Sequence, residues 1–149
     1  MRSLIAIQEG QISVEQIKAL EEVVRKLYAE HVCEEKLTII WNVAAKQHTI
    51  TDRRWSRSST VSMEVPDGFE TQRREAFMLE VDKSWREITG QHPDQVSVGA
   101  FDQSRYGDIL KGNLTRLSPW GRFTYLFKLF SRAMISKLRY GVLITRFNQ

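Results

Sequence analysis

Met1-Arg2-Ser3-Leu4-Ile5-Ala6-Ile7-Gln8-Glu9-Gly10 reads as a short buried strand that closes in a turn. Ser13, three residues before Gln16, then marks the start of a helix, because a serine hydroxyl at that place accepts from first-turn amides and the glutamine reaches back. Apolar residues follow at Val14, Ile17, Leu20, Val24 and Leu27, with His31 next in the series. Spacings of three and four turn one helix face toward a core. Glu15, Lys18, Glu21, Glu22, Arg25 and Lys26 take the other face, acid and base within reach of each other. Leu37–Ala44 is nearly continuous in apolar residues and reads as a central strand. Strand, helix and strand within ~45 residues make a βαβ unit.

The pattern occurs twice. Thr60–Val65 alternates as a strand, Pro66-Asp67-Gly68 closes it, and Thr71–Thr89 carries Phe77, Met78, Val81, Trp85 and Ile88 at helical spacing. Gly90 stops that helix, and Val96–Phe101 is the returning strand. A shift of 58 residues lays Glu9-Gly10 on Asp67-Gly68, Ser13 on Thr71, Val23 on Val81 and Ile40 on Val98. The expectation is an α+β chain in which two consecutive βαβ units form a four-stranded sheet with both helices on one face. Residues 1–44 are the first unit, 45–58 a polar loop with Arg53, Arg54 and Arg57 around Trp55, and 59–102 the second unit. The bare sheet face calls for a cover, most simply other subunits.

Residues 103–149 complete a single domain as a basic extension. Asp102–Leu110 reads as a loop leading into a short helix, Pro119-Trp120-Gly121 marks a break, and Arg122–Leu138 holds a helical stripe of Phe123, Leu126, Phe127, Phe130, Met134 and Leu138. Tyr140–Phe147 reads as a final strand. The extension holds nine Lys and Arg against Asp108, while residues 1–102 hold 13 bases against 17 acids. Such a tail suits an anionic partner or the acidic face of its own chain or a neighbour. The stripe is expected to pack on the domain, ahead of lying on a membrane surface. Nucleic acid is the weakest partner, since the bases alternate with core-spaced apolar residues.

At 149 residues and 42% hydrophobic content the chain is long enough for one core. Its single cysteine, Cys33, leaves no intrachain disulfide or Cys-rich zinc site and is expected to be a buried filler. His31, His48 and His92 lack ligand spacing, so no metal and no cofactor is expected. No apolar run reaches the ~18 residues of a membrane span, and a cytoplasmic location is expected.

The buried strand from residue 1, Glu9-Gly10-Gln11, the helix opening Ser13-Val14-Glu15-Gln16 and the second βαβ unit resemble the tautomerase superfamily. That group includes 4-oxalocrotonate tautomerase, malonate semialdehyde decarboxylase, cis-3-chloroacrylic acid dehalogenase and macrophage migration inhibitory factor. The resemblance spans roughly residues 1–102 and implies a homotrimer, with the last strand adding to a neighbour's sheet edge. It also implies catalysis by an N-terminal proline. Met1 stands there instead, and the first proline is Pro66. Arg2 is too bulky for efficient methionine removal, so the expected terminus is a primary amine, able to act as a base or to attack a carbonyl. Gln11 stands where many members carry a carboxylate-binding arginine, and Arg53, Arg54 and Arg57 are the substitutes if their loop folds over the terminus. Tyr28 matches a catalytic histidine position of the dehalogenase or else sits at the rim of the core. Trp41 lines a pocket or fills the core.

Two functions follow. One is a tautomerase-like enzyme, an isomerase, decarboxylase or hydratase working through the Met1 amine, with Tyr28, Gln11, Trp41 and Arg57 around a small anionic or carbonyl ligand. The alternative is a non-catalytic oligomeric binding or interaction protein that uses the basic extension.

Overall fold

The computed structural model describes residues 1–51, 53–107 and 118–146. β1 (Arg2–Gln8), α1 (Val14–His31) and β2 (Thr38–Ala44) form the first βαβ unit. β3 (Ile50–Thr51) and β4 (Arg54–Trp55) make a small hairpin inside the stretch expected as loop. β5 (Ser59–Val65), α2 (Thr71–Thr89) and β6 (Val96–Asp102) form the second unit. α3 (Pro119–Tyr140) and β7 (Ile144–Arg146) end the described chain.

The sheet order is β6-β5-β1-β2-β7. β1 runs parallel to β2, β5 parallel to β6, and the two units meet antiparallel along β1 and β5. In that seam Leu4 pairs with Ser62, its equivalent 58 residues on, so a pseudo-two-fold axis passes between them. Gly10 and Gly68, also 58 apart, both take φ 75°, the left-handed turn that glycine enters without steric cost. The repeat read from pattern is thus a repeat in space.

Alternation fixes the layers. Ile5, Ile7, Ile39, Trp41, Val43, Val61, Met63 and Val65 are buried beneath α1 and α2. Trp41 of β2 stacks on Trp85 of α2 with centroids 5.8 Å apart, and Tyr28 of α1 meets Phe77 of α2 edge-on at 5.8 Å. Cys33 lies just past α1, half-buried at the margin of this core.

The C-terminal part departs from expectation at three points. Pro119 begins α3, because Ser118 caps the helix through Gly121 N–H and a proline in the first turn costs no hydrogen bond. β7 pairs parallel with β2 of its own chain, adding a fifth strand to a sheet expected to have four. The α3 stripe does not pack on the domain: Phe123, Phe127, Phe130, Met134 and Leu138 are exposed, while Ala133 and Ser136 on the opposite side are buried. Residues 103–107 are already helical where a loop leading into a short helix is expected, whereas 108–110 and Phe147 lie outside the described residues. No helix among the described residues is long and apolar enough to cross a membrane.

Candidate functional site

β1 separates two corners that the pseudo-axis exchanges. At its start the Met1 amine donates to the Lys36 carbonyl at 3.3 Å, and the Met1 carbonyl accepts from Thr38 N–H at 3.0 Å. Beside it Glu64, 1% exposed, takes Arg2 Nε at 2.9 Å and Nη2 at 2.5 Å on Oε1, and the Arg2 backbone N–H at 2.7 Å on Oε2. These charge-assisted bonds satisfy a carboxylate that would otherwise be costly to bury. The Glu64 hydrogen bond holds the Arg2 guanidinium even more firmly protonated than usual.

Tyr106 closes the same corner. Its ring lies 6.0 Å from the Arg2 guanidinium, and its hydroxyl donates to the Ser62 carbonyl at 3.4 Å. Burial, and then the Glu64 charge, push its phenol up to about 12. Tyr28 is 1% exposed and donates to the Glu64 carbonyl at 2.9 Å; burial pushes its phenol well above the ordinary range. Trp41 is fully buried, with its indole N–H donating to Glu21 Oε1 at 3.0 Å.

The corner at the other end of β1 is open. A cleft of about 550 Å³ lies between the Gln8–Gln11 turn, Lys46 and Gln47, Trp55–Arg57, and Gln91 with Gln95. Its floor is a glutamine network. Gln8 N–H donates to Gln11 Oε1 at 2.7 Å, and Gln11 Nε2 donates to the Arg57 carbonyl and to Ser59 Oγ, the latter at 3.2 Å. Ser59 Oγ and Trp85 Nε1 both donate to Gln91 Oε1, at 2.9 and 2.7 Å, and Gln91 Nε2 returns to the Arg57 carbonyl at 3.0 Å. Two amides therefore fix the Arg57 peptide. Lys46 crosses the turn, its Cε 3.5 Å from where a Cβ on Gly10 would stand.

The cleft thus carries Lys46 and Arg57 on exposed side chains, with Glu9 also in its lining, over a rigid floor of amides. Neither cation has a carboxylate partner among the described residues. Lys46 and Arg57 are the cationic residues of this lining, the types that pair with a small carboxylate. Trp55, 60% exposed, adds an apolar face at the rim. A second cleft of about 480 Å³ adjoins it through Gln8–Gly10 and runs beneath α3, walled by Ile7, Ile12, Ile17, Val43 and Ile135.

The five residues singled out by sequence fall into three places. Gln11 and Arg57 come together, Tyr28 and Trp41 lie in the core, and Met1 stands at the far end of β1 from the Gln11 cleft. The loop bearing Arg57 folds toward the Gly10 turn and away from the terminus. Sequence reading missed Lys46, Gln91, Glu64 and Tyr106. Only Gln91, directly after the helix-stopping Gly90, stood at a position with a local signal.

No protein-family profile matches this chain, and no curated protein sequence matches it. Solved structures do, over 68% of its length. A fused 4-OT, described as a symmetric trimer, aligns with TM-score 0.61 at 14% identity over 85% of that chain. Pt0534, solved after inactivation by 2-oxo-3-pentynoate, aligns with TM-score 0.63 at 18% identity over 85%. N1, a member of the cis-3-chloroacrylic acid dehalogenase family, aligns with TM-score 0.64 at 12% identity over 74%. The chain has the fold of these tautomerase-superfamily structures.

Proposed function

We propose that this chain is a tautomerase-superfamily protein that works by binding: it holds a small carboxylate-bearing carbonyl compound in the Gln11–Arg57 cleft and does no chemistry at its N-terminal amine. The observation that carries this is the separation of the parts within one subunit. The cations that suit a carboxylate lie at the Gly10 end of β1, while the amine lies at the other end beside a carboxylate already taken by Arg2. A catalyst needs its reacting group within hydrogen-bond reach of the bound ligand.

A homotrimer goes with this reading, since the fused 4-OT relative is a trimer and the sheet face away from α1 and α2 carries Leu4, Ala6 and Ile40. A second reading keeps catalysis at Met1. It is favoured by the amine itself, whose one described partner is the Lys36 carbonyl.

The reagent that inactivates Pt0534 separates the two. Full-length protein incubated with 2-oxo-3-pentynoate is followed by intact mass and by mapping of the N-terminal peptide. The binding reading expects no adduct on Met1. Stoichiometric modification of that amine, blocked by a keto acid, would establish the catalytic reading instead.

A further inference from the structure

α3 presents an apolar surface unlike any other on the described chain. Trp120, Phe123, Phe127, Phe130, Met134 and Leu138 recur every three or four residues, and each is between 54% and 84% exposed. The opposite side is anchored. Ala133 and Ser136 are buried, and Ser136 Oγ donates to the Val142 carbonyl at 2.9 Å while accepting from Ile144 N–H at 3.2 Å. With successive residues 100° apart, this anchoring turns the stripe outward. Lys137 then borders it on one side, and Lys128 and Arg139 lie beyond Ile135 on the other. The helix sequence holds five bases and no Asp or Glu.

We infer that α3 is a membrane-surface helix whose stripe enters the interface of a bilayer rich in anionic lipid while the flanking cations meet the headgroups. Amphipathic helices with aromatic and leucine residues on one face and Lys or Arg beside them lie in that plane. The span is not crossed; the helix rests on it.

A second copy of the chain fits less well. Outside α3 the large exposed apolar side chains of the described residues are Leu79, Phe101 and the hairpin pair Ile50 and Trp55, scattered over the body and too few to mate with the stripe. Pairing α3 with another α3 would match apolar area but would bring the cations of both copies together with no carboxylate on either helix. Anionic headgroups satisfy stripe and cations at once.

Vesicle co-sedimentation of the full-length protein tests this, using phosphatidylcholine alone and phosphatidylcholine with about 30 mol% phosphatidylserine. Binding to the anionic vesicles is expected to be roughly tenfold or more tighter and to weaken as salt rises. The exposed double substitution Phe127→Glu with Phe130→Glu removes it, and Lys128→Gln with Lys137→Gln shifts it partway, both with unchanged circular dichroism and thermal unfolding. Failure to bind either vesicle, equal binding to both, or full binding by the phenylalanine variant overturns the inference. So does a parent that ignores vesicles and whose sedimentation mass falls only in the phenylalanine variant, which assigns the stripe to a second copy.

Discussion

Glu64 shows how a single side chain decides what a corner can do. It is buried on β5 and takes three donors from Arg2, whose side chain remains 48% exposed. Removing the guanidinium leaves the carboxylate with the Arg2 amide as its described donor, so Arg2→Ala should lower stability by about 2 kcal/mol, less than a fully buried pair. Chemical denaturation reads this directly, and Glu64→Gln in the Arg2→Ala background should recover part of the loss. Tyr106 beside it gives a pH signature. Its phenol is held up to about 12, above the ordinary value of 10. The unfolded chain therefore loses that proton first, and the contribution to stability, intact below pH ~10, is lost as pH rises toward 12. Unfolding midpoints should fall over that window, and less steeply in Tyr106→Phe. None of this was legible in sequence: Arg2 and Glu64 are 62 residues apart, and Glu64 read as the polar step of an alternating strand.

At the scale of elements, legibility followed locality. Ser13 and Gln16 form the full capping box at α1, with Gln16 N–H to Ser13 Oγ at 3.2 Å and Ser13 N–H to Gln16 Oε1 at 3.0 Å. Ser13→Ala should cost about 1 kcal/mol by thermal unfolding. The repeat does not carry this device across, since α2 starts after Glu70 without a side-chain cap. Proline ends a helix from within, so the Pro119 stretch looks like a break in sequence, whereas after the Ser118 cap it begins the helix. The hairpin of β3 and β4 has two residues per strand, too few for a period. Trp41, of the central β2, shows what holds the layers together: it is fully buried, stacked on Trp85 and bonded to Glu21. Trp41→Ala should cost about 4 kcal/mol, the loss and cavity of a buried aromatic, measured by urea unfolding.

At the scale of the molecule, the 58-residue repeat predicted from pattern becomes a pseudo-two-fold axis through the Leu4–Ser62 pair. The axis gives the sheet two equivalent corners with different fates. One is filled by Arg2, Glu64 and Tyr106, the other is a cleft bearing Lys46 and Arg57. The Gln11–Arg57 contact joins residues 46 apart, so the sequence could nominate both without showing that they meet. The face opposite the helices also holds Asn42, whose Oδ1 is buried without a described partner. Leu4, Ala6 and Ile40 on the same face are apolar side chains that a neighbouring subunit would cover. Sedimentation of the purified protein should then give about three times 17.4 kDa, and Ile40→Arg on the same face should reduce it to the monomer.

The most direct test of the binding account is a titration of pyruvate, the simplest keto acid with the required carboxylate, into isotopically labelled protein. Amide and side-chain resonances are followed throughout. Saturable shifts are expected at Gln8–Gln11, Lys46, Arg57 and Gln91, abolished in Arg57→Gln, with Met1, Arg2 and Thr38 unmoved. Shifts centred on Met1–Ser3 and Thr38, or none at the Gly10 corner, would contradict the binding account.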